Sequence, residues 1–376
     1  MSAEFNYVAT CLFGLERLVG EEIDALGYTR RETIDGRVYF RGGPDAVARC
    51  NINFRYAERL YIELASFNAE SFTGLFDNVI QIPWELIIGN DDAFPVKGHS
   101  VKSKLYSVPD CQSIIKKAVV KRLSQKYGVE WFEETGVKYQ IDFFILNDKV
   151  SIMLDTSGSP LHKRGYRTEA GAAPLRETLA AALVNLSRPR ENVRLWDPFC
   201  GSGTIAIEAA LMMTNTAPGI RRKFAAESYG FLPKKIWSDA RREAEKNVKE
   251  TEFFAFASDV DDNVLSVAKQ NAKRAGMEKY IRFFNKDATT IAKDDVRTTI
   301  VCNPPYGERL DTVKEARELY KRMGMCFSNL EPWQIYVITS EEEFEKLYGK
   351  RADKVRKLYN GMIKCNYYQF FKKSQG

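Results

Sequence analysis

Apolar and polar positions change period along this chain, and the change divides it into two kinds of architecture. Residues Tyr7 to Thr10 alternate as a strand does, apolar residues from about Leu15 to Leu26 recur at helical spacing, and Arg30 to Ile34 and Gly36 to Arg41 alternate again around an Asp35-Gly36 turn. A helix from about Pro44 to Asn53 and an alternating strand from Glu58 to Phe67 follow, then Asp77 to Ile80 and a helix start at Pro83-Trp84. From roughly Cys111 to Tyr127, Ile114, Ile115, Ala118, Val119 and Leu123 fall on one helical face and leave the lysines on the other. Strands Tyr139 to Leu146 and Lys149 to Asp155 join at Asn147-Asp148. The pattern of this front part is α+β.

The rhythm of the second part is strand, glycine turn, helix. Strands are expected at Val193 to Trp196, Phe253 to Ser258, Ile281 to Phe284, Thr299 to Cys302 and Gln334 to Thr339, with helices at Ile205 to Met213 and Asp262 to Ala275. Such alternation predicts a mostly parallel sheet with helices on both faces, an α/β fold. Between the two parts, Ser157 to Ala173 is rich in Gly, Ser and charge and reads as a connection, after which Pro174 opens a helix through Leu186. A long insertion, Thr214 to Arg242, is expected to include a flexible loop near the site.

Length and composition narrow the class. At 376 residues the chain accommodates two or three domains, and 44% hydrophobic against 28% charged residues suits a folded, soluble protein. Seven cysteines, an odd number without a C-x-x-C pair, and two histidines argue against a disulfide framework or a zinc site, so no metal is expected. The amino terminus lacks the layout of a signal peptide, and no apolar run approaches a membrane span, which makes the cytoplasm the expected location. The net charge of +6 permits an acidic partner without requiring one.

Charge distribution says more. Between Phe94 and Lys126 the cations include Lys97, Lys102, Lys104, Lys116, Lys117 and Lys121, set against one acid, Asp110. In the connection, His162-Lys163-Arg164-Gly165-Tyr166-Arg167 places three cations around an aromatic ring, a composition suited to a phosphate backbone with a stacked base. A solvated helix face and a surface loop pinned by its tyrosine are the competing uses. Lys97, Lys102, Lys104, Lys116, Lys117, Lys121, Lys163, Arg164 and Arg167 form the expected RNA-binding set.

The chemistry concentrates at strand ends. Asp197-Pro198-Phe199-Cys200-Gly201-Ser202-Gly203-Thr204 lies directly between an apolar strand and a helix. Its glycines allow close backbone approach, the helix amides can meet a carboxylate, and Asp197 is placed to receive an ammonium and would repel a pyrophosphate. Those features suit an amino-acid-like ligand. At the next strand tip, Asp259-Val260-Asp261-Asp262 offers carboxylates to a ribose, with helix capping as the alternative use. After the third strand, Asp287-Ala288 offers an acceptor for an adenine amine, or a turn residue.

Asn303-Pro304-Pro305-Tyr306, following Ile300-Val301-Cys302, carries the reaction type. The prolines stiffen the segment, so the Asn303 side-chain oxygen and the Pro304 carbonyl can both face one amino group, while Tyr306 offers a stacking face. Two acceptors holding the protons of a ring-conjugated amine favour its rehybridisation and expose the lone pair, with no strong general base needed.

Taken together in this order, the Asp197 to Thr204 and Asn303 to Tyr306 motifs resemble those of class I S-adenosylmethionine-dependent methyltransferases that act on planar amino groups. Pro95-Val96-Lys97-Gly98-His99-Ser100 and the basic helix after it resemble a THUMP RNA-binding domain, and Leu161 to Arg167 with Ala173 to Leu179 resemble the linker of the RlmL/YpsC (UPF0020) group. The resemblance implies a ferredoxin-like domain at 1–60, THUMP at 61–160, a linker and helix at 161–190 and a Rossmann-like methyltransferase domain at 191–376. It further implies that S-adenosyl-L-methionine is the cofactor, held by Asp197, Cys200, Gly201, Ser202, Gly203, Thr204, Asp259, Val260, Asp287 and Ala288, and that Asn303, Pro304, Pro305 and Tyr306 are catalytic. The implied reaction is methylation of guanine N2 in large-subunit ribosomal RNA, some relatives acting on transfer RNA. Adenine N6 of DNA or RNA, a protein glutamine side chain, and a noncatalytic role in ribosome assembly are the alternatives.

Overall fold

The structure, a computed structural model, describes residues 4–167, 175–307 and 310–371. Its front part runs β1 (Phe5–Cys11), α1 (Glu16–Ala25), β2 (Thr29–Ile34), β3 (Arg37–Gly42), α2 (Asp45–Asn53), β4 (Ala57–Asn68), α3 (Phe72–Val79), β5 (Val96–Val101), α4 (Val108–Tyr127), β6 (Ile141–Leu146) and β7 (Lys149–Asp155). These strands form one sheet in the order β2-β3-β1-β4-β7-β6-β5, antiparallel except for β5 against β6. The long β4 pairs with β1 through its first half and with β7 through its second, so the boundary expected between 60 and 61 falls inside a strand. The apolar run of Leu60, Tyr61 and Ile62 continues across it, which is why the sequence pattern marks no border there. Pro83-Trp84 opens only one 3-10 turn, Trp84–Leu86, in which Trp84 is fully buried and its indole donates to the Val79 carbonyl at 2.9 Å.

The second part continues with α5 (Glu177–Leu186), β8 (Arg194–Asp197), α6 (Thr204–Met213), α7 (Lys235–Lys246), β9 (Ala255–Asp259), α8 (Asp262–Ala275), β10 (Ile281–Asn285), β11 (Thr298–Cys302), α9 (Leu310–Phe327), β12 (Gln334–Thr339), α10 (Phe344–Tyr348), β13 (Lys354–Asn360) and β14 (Ile363–Phe370). Pro174, the expected start of α5, lies outside the described residues. The sheet order is β10-β9-β8-β11-β12-β14-β13, with β8 to β12 parallel and an antiparallel β13–β14 hairpin at the edge. From β8 the chain moves outward through β9 and β10, then returns to β11 on the other side of β8. That reversal opens a crevice at the carboxyl ends of β8 and β11, where ligands bind in open α/β sheets. Both strands are buried on both faces, as their apolar runs require.

The two parts share a core that runs from Tyr7 to Tyr367. The Thr214 to Arg242 insertion builds much of that junction, contrary to the expectation of a loop at the site. Tyr229 is fully buried, stacks on Tyr139 with ring centroids 4.5 Å apart, and donates to the Asp155 carbonyl. The Gly219 amide donates to the Ile52 carbonyl at 2.8 Å, and Arg49 of α2 grips Glu243 of α7 through two bonds of 2.7 and 2.8 Å. Among the described residues no helix is long and apolar enough to cross a membrane.

Candidate active site

The glycine turn after β8 is tightly determined. Gly201 and Gly203 have φ of +51° and +82°, and a Cβ on Gly203 would lie 3.2 Å from the Ala268 methyl of α8, so both conformation and space favour glycine. The Gly203 amide bonds to the Cys200 carbonyl at 2.7 Å, the Cys200 amide to Ser258 at 3.0 Å, and Asn271 donates to the Ser202 carbonyl at 3.0 Å. These bonds tie the turn to β9 and α8. Thr204 begins α6, whose amino end faces the crevice.

Asp197 ends β8 almost wholly buried and accepts a 3.2 Å bond from the Phe199 amide. Burial pushes its carboxyl up to about 8, the Phe199 bond opposes that, and the nearby Asp259 carboxylate adds to the rise. Asp259, at the tip of β9, accepts from the Gly201 amide at 3.1 Å through one oxygen and from the Asp261 amide at 3.2 Å through the other. Asp261 caps α8 by accepting from the Asn263 amide, which separates the capping role from the position of Asp259. Val260 beside it is 66% exposed, an apolar surface at the strand tip. Asp287 accepts from both the Thr289 amide and hydroxyl at 2.8 Å, and these bonds hold its carboxyl below the usual range; Ala288 is buried beneath it.

Asn303 follows β11 directly, so the Asn303 to Tyr306 segment and the glycine turn sit at the same end of adjacent parallel strands. The Tyr306 phenol donates to Asn303 Oδ1 at 2.5 Å and receives the Cys365 thiol at 3.8 Å from β14. Burial pushes that phenol far above its ordinary value. The ring expected to offer an open stacking face is half-buried, with its hydroxyl on the Asn303 amide. Tyr320 of α9 donates to the Pro305 carbonyl at 2.7 Å and bonds Thr339 at 2.9 Å, fixing the segment from behind.

Several expected RNA contacts are placed elsewhere. Arg164 is only 6% exposed and donates to the carbonyls of Phe54, Arg55 and Leu161, with Glu208 of α6 at 3.5 Å. Tyr166 is buried too and donates to Glu208 at 3.0 Å. Arg167 pairs with Glu177 at 2.8 Å and reaches Thr204 Oγ1 at 3.3 Å, supporting the start of α6. The physical reason is the buried acids: Glu177 and Glu208 lie on α5 and α6 and require partners, which the connection supplies. Lys104 pairs with Glu70, and Lys116 pairs with Glu134 while lying over the Phe94 ring. Lys97, Lys102, Lys117, Lys121 and Lys163 remain exposed. Glu177, Glu208, Asn271 and Tyr320 escaped the sequence reading; an acid inside an otherwise apolar helix, as in Ile205 to Met213, was the available signal for Glu208.

Comparison with known families agrees with this geometry. Residues 164–369 match the model of the RMKL-like methyltransferase domain, 6–61 the RlmL ferredoxin-like domain and 69–155 the THUMP domain. The chain belongs to the RMKL-like methyltransferase family. It is similar to YpsC of Bacillus subtilis (strain 168), whose name carries a proposed RNA methyltransferase role, with 45% identity over 98% of this chain and 97% of that one. Ribosomal RNA large subunit methyltransferase K/L of Shewanella baltica (strain OS155 / ATCC BAA-1091) is 32% identical over 96% of this chain, which spans about half, 52%, of that relative's length. Among solved structures, a methylase candidate from Clostridium difficile 630 superposes with a TM-score of 0.96 at 42% identity, each chain wholly covered. A predicted N6-adenine-specific DNA methylase from Listeria monocytogenes str. 4b F2365 gives 0.92 at 43%, covering 98% of this chain and 97% of that one. SMU.472 in complex with SAH gives 0.91 at 36% with complete coverage of both.

The methyl donor of this RMKL-like domain is S-adenosyl-L-methionine. The residues present fit it: a buried carboxylate awaiting a cation, a turn whose two glycines hold positive φ, a strand-tip acid and an exposed valine beside it.

Proposed function

We propose that this RMKL-like enzyme methylates the exocyclic N2 of guanine in RNA, with large-subunit ribosomal RNA as substrate. The observation that carries the reading is the juxtaposition of the Asn303 to Tyr306 segment with the glycine turn at the ends of β11 and β8. The ferredoxin-like and THUMP matches, the exposed lysines on α4 and the names of the ribosomal relatives support RNA as the substrate. Guanine N2 follows from the resemblance to the RlmL/YpsC group.

When bound, S-adenosylmethionine supplies an electrophilic methyl group. Asp197 would hold its ammonium, the Gly201 to Thr204 amides its carboxylate, Asp259 the ribose, and Val260, Asp287 and Ala288 the adenine. Asn303 Oδ1 and the Pro304 carbonyl accept the protons of the target amine and orient its lone pair. Oδ1 already accepts one bond, from Tyr306, and its second lone pair leaves room for the amine. Pro305 stiffens the segment, and Tyr306 keeps the amide turned into the crevice. Transfer leaves a cationic amine, which becomes more acidic as it forms and releases its proton to water without a strong base.

Labelled transfer from S-adenosylmethionine to ribosomal and transfer RNA from cells lacking this protein, followed by nucleoside analysis, tests the reading. N2-methylguanosine in ribosomal RNA is the expected product. N6-methyladenosine would replace the base assignment and favour the reading suggested by the Listeria relative's name, and label on protein alone would remove RNA as the substrate.

A further inference from the structure

A cleft of about 1180 Å³ lies between α1 and the end of the catalytic sheet where β8, β11 and β12 begin. Thr298, Thr299 and Gln334 line it at the amino ends of β11 and β12, whereas Asp197 and Asn303 stand at the opposite, carboxyl ends. The cleft is therefore separate from the methyl-transfer residues. Its lining is strongly cationic. Arg188, Arg190, Arg297, Lys354 and Arg356 all face it, and none of them forms an ion pair with a described residue. Of the acids around it, Asp294 is held by Arg194 through two bonds of 2.9 Å and Glu21 by Arg17 at 2.8 Å, which leaves Asp295.

Buried donors point the same way. Gln369 on β14 is only 3% exposed, lines the cleft, and its side-chain amide nitrogen has no acceptor among the described residues; Nε of Arg356 on β13 is likewise buried and without a partner among them. Buried N–H groups are nearly always paired, so two orphans on neighbouring strands facing one cleft call for an acceptor that the described residues do not supply. Lys354 stands directly across from Gln369 in the β13–β14 register, adding a charge to that donor. Arg188 also holds a left-handed backbone at φ +54°, a conformation rare outside glycine and concentrated at functional sites. Trp333, Tyr336 and Phe371 supply an apolar floor.

Five cations spread over so large a cleft exceed what a single phosphate needs and fit a chain of them. We propose that this cleft seats the phosphodiester backbone of the substrate RNA at a second place, at the end of the sheet opposite the reacting base. The inference rests on RNA being the substrate. The ferredoxin-like domain then acts as one jaw of a clamp, because α1 contributes Arg17, Leu18 and Glu21 to the wall.

The test uses the full chain with Arg188→Glu, Arg297→Glu and Lys354→Glu combined, all three residues being exposed. Filter binding of ribosomal RNA across a salt series should show affinity reduced by about tenfold or more and a log–log salt slope shallower by roughly 2 to 3, since each lost phosphate contact removes about 0.7 to 0.9. KM for RNA should rise while kcat at saturating RNA and affinity for S-adenosylmethionine stay unchanged. The charge-conserving Arg188→Lys, Arg297→Lys variant should keep the parental slope, and Gln369→Leu should weaken RNA binding with no loss of thermal stability. If the parent binds RNA and the triple variant binds with equal affinity and slope, the cleft is not an RNA site. If the parent itself does not bind RNA, the substrate reading falls, and this inference falls with it.

Discussion

The Tyr306 phenol donates a 2.5 Å hydrogen bond to Oδ1 of Asn303, the atom proposed above as an acceptor for the target amine. Asn303 is therefore held in one orientation before substrate arrives. Asn303→Ala should abolish transfer and change S-adenosylmethionine affinity less than twofold. Tyr306→Phe keeps the ring and loses the bond, so kcat should fall about tenfold, equivalent to ~1.4 kcal/mol. Single-turnover rates with equilibrium cofactor binding separate the two effects, and a fully active Asn303→Ala would end this account of the chemistry.

The burial of Asp197 predicts a pH-dependent cofactor site. Its carboxyl is pushed up to about 8, so the free folded chain keeps a proton that the unfolded chain has already lost. Ionising that carboxyl to receive an ammonium costs the free chain about 1.4 kcal/mol for each pH unit below 8, a cost that shrinks as pH rises and vanishes above 8. Affinity for S-adenosylmethionine should therefore climb between pH 6 and about 8, by at most about tenfold per unit, and level off above. Titration calorimetry of the parent beside Asp197→Asn decides it: a parental slope that survives in the asparagine variant assigns the titration elsewhere.

Arg167 distinguishes a loop support from an RNA contact. Its bonds to Glu177 and Thr204 predict that Arg167→Lys weakens S-adenosylmethionine binding several-fold and leaves the salt dependence of RNA binding unchanged. A shallower RNA slope with normal cofactor affinity would restore it to the nucleic-acid surface.

Lys117 and Lys121 project from the exposed face of α4. Replacing both with Gln should weaken RNA binding at low salt and reduce the salt slope by about 1.5, two contacts' worth. Cofactor binding should not move. An unaltered slope would take this helix face out of the RNA path.

Gly219 lies where the backbone of the insertion packs directly on that of α2. A Cβ there would lie 2.7 to 2.9 Å from the backbone of Asn51 and Ile52, so Gly219→Ala must push α2 from the insertion. The expected loss is about 1 to 3 kcal/mol, read as a lowered midpoint in urea. A parental midpoint would show that the junction yields without strain.

Read alone, the sequence determined the periods of most elements, the α/β class of the second part, and the strand-end motifs from Asp197 to Thr204 and from Asn303 to Tyr306. Those are local properties: apolar spacing, glycine where φ must be positive, proline where donors must be absent. It also identified the resemblance that the family matches confirm. Tertiary structure alone decided which charges are free. Lys104, Lys116, Arg164 and Arg167 look like their exposed neighbours in the sequence, but their partners Glu70, Glu134, Glu208 and Glu177 lie between 10 and 44 residues away and meet them only after folding. The same holds for the bond from Tyr306 to Asn303, for the β13–β14 hairpin that brings Cys365 beside them, and for the insertion that became a brace between two parts. Burial converts an anonymous carboxylate into a demand for a cation, and burial is set by the whole fold rather than by any stretch of the chain.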